Sequence, residues 1–202
     1  MKSRTKTLLI LFTLIVSLLL ISGCGNARLF NIAQRVEVAP ENFCCKTNVG
    51  DLFLAADPLT DEDKILATFD GNLLLAGILP IRTLIENRSG AAVDSKRAQF
   101  VLVDSSGHQY KELDPKQALK QMVKYYGIQY QRKGSFEKTL TDLNAVSFLK
   151  QPPLAASETR QGFVYFAIDA TRGVPQGLKL LVKRLRQGNE KKDIDATLAL
   201  TR

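Results

Sequence analysis

Tryptophan is absent from the 202 residues, histidine occurs once, methionine twice and cysteine three times. Each scarcity removes a class of chemistry. With no tryptophan and aromatics at 7% of the chain, the rings that form sugar-stacking platforms are few. A single histidine, His108, rules out a multi-histidine metal centre within the chain, and zinc at Cys44, Cys45 and His108 would still lack a fourth ligand. No metal and no other cofactor is expected. A nucleophile–histidine–acid triad would have to use His108, yet no G-x-S-x-G elbow presents a serine, and Ser105 and Ser106 beside it have turn composition. The glycine-rich phosphate loops and the dinucleotide fingerprint are missing, and Asp61, Glu62 and Asp63 do not follow the spacing of a calcium loop. No C-x-x-C pair is present, and no repeat of 20–50 residues is visible. These absences favour a protein that is not an enzyme. Carboxylates brought together only by folding leave no spacing signature, so a hydrolase of that kind stays as an alternative.

What the chain does have is an excess of positive charge. Twenty-eight basic residues against 20 acidic give a net +8. The excess is spread along the chain, so nucleic acid is not expected as a partner, whereas anionic head groups or envelope polymers are compatible with it. Its length suits one domain with a large enough core to need no disulfides.

The amino terminus has its own pattern. Lys2, Arg4 and Lys6 precede an apolar run over 8–21, within the roughly 7–15 residues of a secretory h-region and short of the about 20 that a spanning helix needs. Leu20, Ile21, Ser22, Gly23 and Cys24 close it. This ending resembles the lipobox of bacterial lipoproteins. The resemblance implies that residues 1–23 are a cleaved signal peptide, that Cys24 is lipidated through its thiol, and that the protein is held by acyl chains on the extracytoplasmic side of a membrane. Gly25 in place of aspartate after the cysteine implies the outer membrane where the organism has one. Cleavage would leave 202 − 23 = 179 residues and, with three basic residues removed, a net charge of +5.

Residues 24–48 read as a lipidated tether merging into a first strand, with 35–38 alternating as an early strand. As flexible chain it would reach roughly 25–30 Å. The domain then occupies 49–202. Strands are expected over 51–56, over 78–87 with Pro80 at an edge or at the strand's start, over 98–104 turning through Ser105, Ser106 and Gly107 into 108–110, over 162–168 as a strand covered on both faces, over 178–183 with Leu178, Leu180 and Val182 inward, and over 194–200 after a turn at Gly188 and Asn189. One helix is expected after Thr60 as cap, burying Ile65, Leu66 and Phe69. A second starts at Asp114 and Pro115, buries Ala118, Leu119, Met122, Val123 and Tyr126, and ends at Gly127. Residues 134–153 read as a further helix or an ordered crossover.

Some seven short strands with one or two inserted helices read as a mainly β, antiparallel sandwich. The stretches 77–81, 85–89, 104–107 and 162–166 resemble those of a class of bacterial lipoproteins carrying an immunoglobulin-like domain of unknown function. The resemblance implies an immunoglobulin-like fold and brings no site with it.

Three candidate sites remain besides Cys24. Cys44 and Cys45 are adjacent, and form either a strained vicinal disulfide or a thiol pair. Lys116, Lys120 and Lys124 line one face of the second helix, which either contacts a membrane surface or an envelope partner or only keeps lysines in water. Arg172, Lys179, Lys183, Arg184, Arg186, Lys191 and Lys192 make the last third basic, either towards an anionic polymer or as solvated strand faces that protect an edge. Together these features lead to an expectation of a membrane-anchored, non-enzymatic binding or scaffolding module, with an accessory subunit of an envelope machine as the alternative.

Overall fold

A computed structural model describes residues 28–35, 37–129, 133–188 and 193–200. The expected signal peptide, Cys24, Asn189, Lys191 and Lys192 lie outside them. The elements along the chain are β1 (Cys45–Val49), β2 (Leu52–Pro58), α1 (Glu62–Phe69), β3 (Ile78–Asn87), β4 (Val93–Asp94), β5 (Gln99–Val103), β6 (Gln109–Tyr110), β7 (Glu112–Leu113), α2 (Pro115–Tyr125), α3 (Lys133–Val146), β8 (Thr159–Ala167), β9 (Lys179–Gln187) and β10 (Ile194–Ala199). The protein is mainly β, with two antiparallel sheets packed as a sandwich. The first sheet has the order β1-β2-β3-β8-β7 and the second β10-β9-β5-β6, with β4 paired to the far end of β9.

The alternation of each strand decides its faces. From the first sheet Leu54, Leu79, Ile81, Ile85, Val164 and Phe166 point inward, where they meet Phe100, Leu102, Leu180, Val182 and Leu198 of the second. The opposite face of the first sheet also carries apolar residues. Ile78, Phe163 and Tyr165 are covered by Ile65 and Phe69 of α1, Leu119 and Met122 of α2, and Phe136 and Leu143 of α3. Further along that face Phe53, Ala55 and Leu84 are covered by Phe43 and Val38. The molecule thus has three layers: helices, first sheet, second sheet.

β3 lies between β2 and β8, so Pro80 is not on an edge strand. It falls where the β2 ladder ends at Pro58↔Ile81, and its carbonyl accepts from the Leu59 N–H at 2.9 Å. α1 starts one residue later than expected. Asp61, not Thr60, is the cap and accepts from the Lys64 N–H, while Leu66 is exposed. Residues 134–153 contain a helix, α3, followed by a crossing of the sheet edge. There Phe148 N–H donates to the Phe163 carbonyl at 2.9 Å, and a Cβ on Gly162 would lie 2.5 Å from the crossing backbone. Glycine is required by that close approach.

The expectation of a tether over 24–48 is corrected for its described part. Phe30 and Phe43 are buried, Ala33 N–H donates to the Thr68 carbonyl, Val38 N–H donates to Gln161 Oε1, and Cys45–Val49 is a paired strand. Free chain loses conformational entropy when it is ordered. Here two phenylalanines and a complete strand ladder offset that loss, so residues 28–35 and 37–48 form a strap across the outer face.

Candidate functional site

α2 carries the surface on which chemistry-bearing side chains gather. It begins with a capping box, in which Asp114 accepts from the Gln117 N–H and the Gln117 side chain accepts from the Asp114 N–H, with Pro115 at the first helical position. It ends in a Schellman arrangement. The Gly127 N–H reaches the Lys124 carbonyl, the Ile128 N–H reaches the Val123 carbonyl, and Gly127 takes φ 61°. Ala118, Leu119, Met122 and Val123 are buried as expected, whereas Tyr126, expected in the same stripe, is part exposed. Its hydroxyl accepts from the Asn72 N–H at 2.6 Å and its ring meets Phe30 edge-on at 5.6 Å.

Lys116, Lys120 and Lys124 all lie on the exposed side of this helix, since residues four apart share a face. Beside them runs an open groove of about 610 Å³, bordered by Lys111, Leu113, Lys120, Lys124, Tyr125 and Ala76. Gln121 Nε2 donates to the Ala76 and Gly77 carbonyls at 2.8 and 3.1 Å, which fixes the helix against the start of β3. Among the described residues, none of Lys111, Lys116, Lys120 and Lys124 forms an ion pair. Tyr125 and Leu75 are each about half exposed, at 50% and 48%. Three cations bordering one groove together with half-exposed Tyr125 suit a carboxylate- or phosphate-bearing surface.

Tyr125 and Leu75 were not singled out by sequence reasoning. Tyr125 falls outside the buried stripe of α2. Leu75 belongs to a run of three leucines at 73–75 between α1 and β3, of which Leu73 is buried; three successive apolar residues in a turn cannot all face inward, and that is the signal that was present.

Neither Cys44 nor Cys45 forms a disulfide among the described residues. Cys45 is buried in the core between the sheets. Cys44 Sγ donates to the Ala56 carbonyl at 3.3 Å, and burial of the sulfur, with the Cys45 thiol and Asp57 carboxylate nearby, pushes its pKa well up. The thiolate is the reactive form, so this environment opposes redox or nucleophilic use.

His108 lies in a cleft of about 290 Å³ with Asp104, Tyr110, Asp169 and Arg172. Its ring meets Tyr110 edge-on at 4.8 Å. Asp104 accepts from Ser106 Oγ, the Tyr110 hydroxyl and the His108 N–H, an arrangement that closes a hairpin. Of the C-terminal basic run, Arg186 pairs with Asp193 at 2.6 Å and Arg172 with Asp169 at 3.1 Å, so these two cations are partly used within the fold.

On the outer face of the first sheet, Arg82 lies opposite Asp57 and 5.2 Å from the centre of the Phe163 ring. Burial lowers its pKa, and the Asp57 carboxylate opposes that shift. The strap residues 33–35 border this seam.

Among the described residues no group of three or more His, Cys, Asp or Glu could hold a metal ion, and no helix is long and apolar enough to cross a membrane. No family model, no curated protein and no solved structure matches the chain.

Proposed function

We propose that this is a bacterial envelope lipoprotein: a non-enzymatic binding or scaffolding module, cleaved after Gly23 and held at a membrane, the outer one where there are two, by acyl chains on Cys24. Each buried methylene contributes about 0.8 kcal/mol, and two or more chains are needed for stable anchoring. The observation that carries the binding reading is the α2 face, where Lys111, Lys120 and Lys124 border an open groove, Lys116 lies exposed on the same helix, and none of the four has an ion-pair partner among the described residues.

The sandwich is proposed to be of the immunoglobulin type. What supports this is the strand order. An immunoglobulin domain pairs A-B-E-D in one sheet and G-F-C in the other. β2-β3-β8-β7 has the first order and β10-β9-β5 the second, each assigned in chain order. β1 then adds to the outside of the first sheet, and α2 with α3 occupies the D–E connection.

Incorporation of labelled palmitate into the wild-type chain, abolished by Cys24→Ala, is the expected result. Native material whose amino-terminal peptide carries an unmodified cysteine would refute the anchor. Turnover of a generic esterase or glycosidase substrate that disappears in His108→Ala would refute the non-enzymatic reading. The size of the α2 groove also favours a second reading, an accessory subunit of an envelope assembly. In that case crosslinking from α2 in intact cells recovers one dominant protein.

A further inference from the structure

We infer that the occupant of the α2 face is the membrane itself, and that the domain lies with its helical layer against an anionic bilayer. Lys111, Lys116, Lys120 and Lys124 meet the head groups, and Tyr125 and Leu75 sit at their level. The inference rests on the anchor proposed at Cys24 and adds to it an orientation and a lipid class.

The first argument is where the folded body begins. Arg28 is paired through Nε with Asp142 on α3, the Leu29 N–H donates to Thr139 Oγ1 on the same helix at 2.8 Å, and buried Phe30 packs on Tyr126 at the end of α2. The chain is therefore fixed to the helical layer from residue 28 onward. Three residues lie between that point and Cys24, and the four steps from Cα to Cα span at most about 14 Å even when fully extended. A body of 202 − 27 = 175 residues is roughly 40 Å across. An anchor so short, joined at the helical layer, keeps that layer near the head groups. The second sheet lies on the far side of the first.

The second argument is the chemistry of the surface so placed. The four lysines have no ion-pair partners among the described residues. Each basic residue near an anionic leaflet favours the docked state about fivefold, within a screening length of about 8 Å at physiological salt. Tyrosine is amphipathic and collects at membrane–water interfaces, and half-exposed Leu75 directly precedes the groove residue Ala76. Tethering makes docking intramolecular, so contacts too weak to bind the protein from solution are enough to orient it.

The chain's lack of tryptophan supplies the test. Tyr125→Trp places one fluorophore on the docking face, and Thr197→Trp places one on the exposed face of β10 in the second sheet. Each protein is purified from membranes with its native amino terminus and incorporated into vesicles of phosphatidylethanolamine and phosphatidylglycerol, or of phosphatidylcholine alone, with brominated acyl chains as quenchers. The expected result is quenching of Tyr125→Trp on the anionic vesicles, weak quenching on the zwitterionic ones, and none for Thr197→Trp. Adding Lys120→Gln and Lys124→Gln should lower the docked-to-free ratio roughly 30-fold, at about fivefold per lysine, with the melting temperature unchanged. Equal quenching at both positions, equal quenching on both lipids, or indifference to the lysine substitutions overturns the inference. So does a single protein crosslinked to Lys120 in cells while Tyr125→Trp stays unquenched. The mass of the amino-terminal peptide separates the two readings: an unacylated Cys24 removes the anchor and the orientation together, whereas an acylated Cys24 with an unquenched reporter removes the orientation alone.

Discussion

On the inner face of the first sheet, Leu54, Ile81, Ile85 and Phe166 pack against apolar side chains of the second sheet. One residue along the same strands, the outer face carries Arg82 opposite Asp57 and a buried Gln161, set between two apolar clusters. The inner face is closed by strands that alternate, each supplying its own half of the contact. The outer face is closed by pieces from elsewhere in the chain: α1, α2, α3 and the amino-terminal strap. Such a covering tolerates polar groups wherever one of its pieces brings a partner, as the strap does when the Val38 N–H donates to Gln161. It also leaves the covering pieces with a solvent side of their own, and the lysine row of α2 lies there.

The sharpest way to break this division is at the point where one segment serves both faces. After α3 the chain crosses the sheet edge at Ser147 and Phe148, and the Phe148 ring reaches Phe100 in the inner core at 5.3 Å. Gly162→Ala would set a Cβ against that backbone at 2.5 Å, with no rotamer to relieve it. A loss of about 4 kcal/mol is expected, above the about 1–3 usual for overpacking, and a fall in Tm of roughly 8–16 °C at 2–4 °C per kcal/mol. Thermal unfolding measures it; a shift of only a degree or two would mean that the crossing moves freely and that the two faces are not joined there.

Phe30→Ala should act on the outer covering alone. Removing a buried phenylalanine costs about 3 kcal/mol, and Phe30 joins the strap to Tyr126 and to the apolar cluster under the helices. Hydrogen exchange at the Ala33 and Val38 amides should quicken by more than tenfold while Phe100 and Val182 between the sheets keep their protection. Equal acceleration at all four would show one cooperative unit with no separable covering.

Asn87 sharpens the comparison from the inner side. It is fully buried at the end of β3, donating through Nδ2 to the Ala91 and Ala155 carbonyls at 2.8 Å and accepting from Ser89 Oγ at 2.6 Å. Asn87→Ala removes the donor to the Ala155 carbonyl and the acceptor of the Ser89 N–H, while Ser89 Oγ still reaches the Ala91 carbonyl at 2.9 Å, for a loss of about 2 kcal/mol. Denaturant midpoints compared with Asn87→Asp should rank alanine and aspartate both below wild type, since aspartate cannot donate.

How much of this was legible in the sequence follows the same division. The strands over 78–87 and 194–200 were readable from period-two alternation, that over 98–104 from the hairpin turn that follows it, and that over 162–168 from an apolar run that both faces of the first sheet cover; the capping residues Asp114 and Pro115 with Gly127 bound α2 through purely local chemistry. The strap was misread because its order comes from Phe30, Phe43 and the β1 ladder, contacts with partners far along the chain that no local pattern records. Leu66 was expected in the buried stripe for the same reason, since which side of α1 meets the sheet depends on the sheet. Of the candidate site, the row Lys116, Lys120 and Lys124 was visible from helical spacing. Lys111 was not, because it lies outside α2 and only the packing of the helix brings it to the groove; Tyr125 lies on α2 but outside its buried stripe, and Leu75 lies in the turn before β3, where tertiary packing decides its exposure.

The smallest effect lies away from both faces, in the hairpin between β5 and β6. Hydrogen bonds from Ser106 and then from the Tyr110 hydroxyl hold the Asp104 carboxyl down at about 2, against an ordinary 3.8, while burial and the bond to Asp104 push Tyr110 up to about 12. A carboxylate whose pKa is lower in the folded state stabilises the fold above its unfolded value and loses that contribution as pH falls from near 3.8 through about 2. Solvent screening keeps the contribution small at so exposed a group. Asp104→Asn should therefore be slightly less stable than wild type at neutral pH and should lose less further stability below pH 4, the two denaturation curves converging on acidification. Tyr110→Phe, with the acceptor intact, should raise the carboxyl midpoint of Asp104 followed by NMR, and by less than Ser106→Ala does. If the midpoint stays in place in both variants, these hydrogen bonds do not hold the hairpin, and its order comes from the β5–β9 ladder instead.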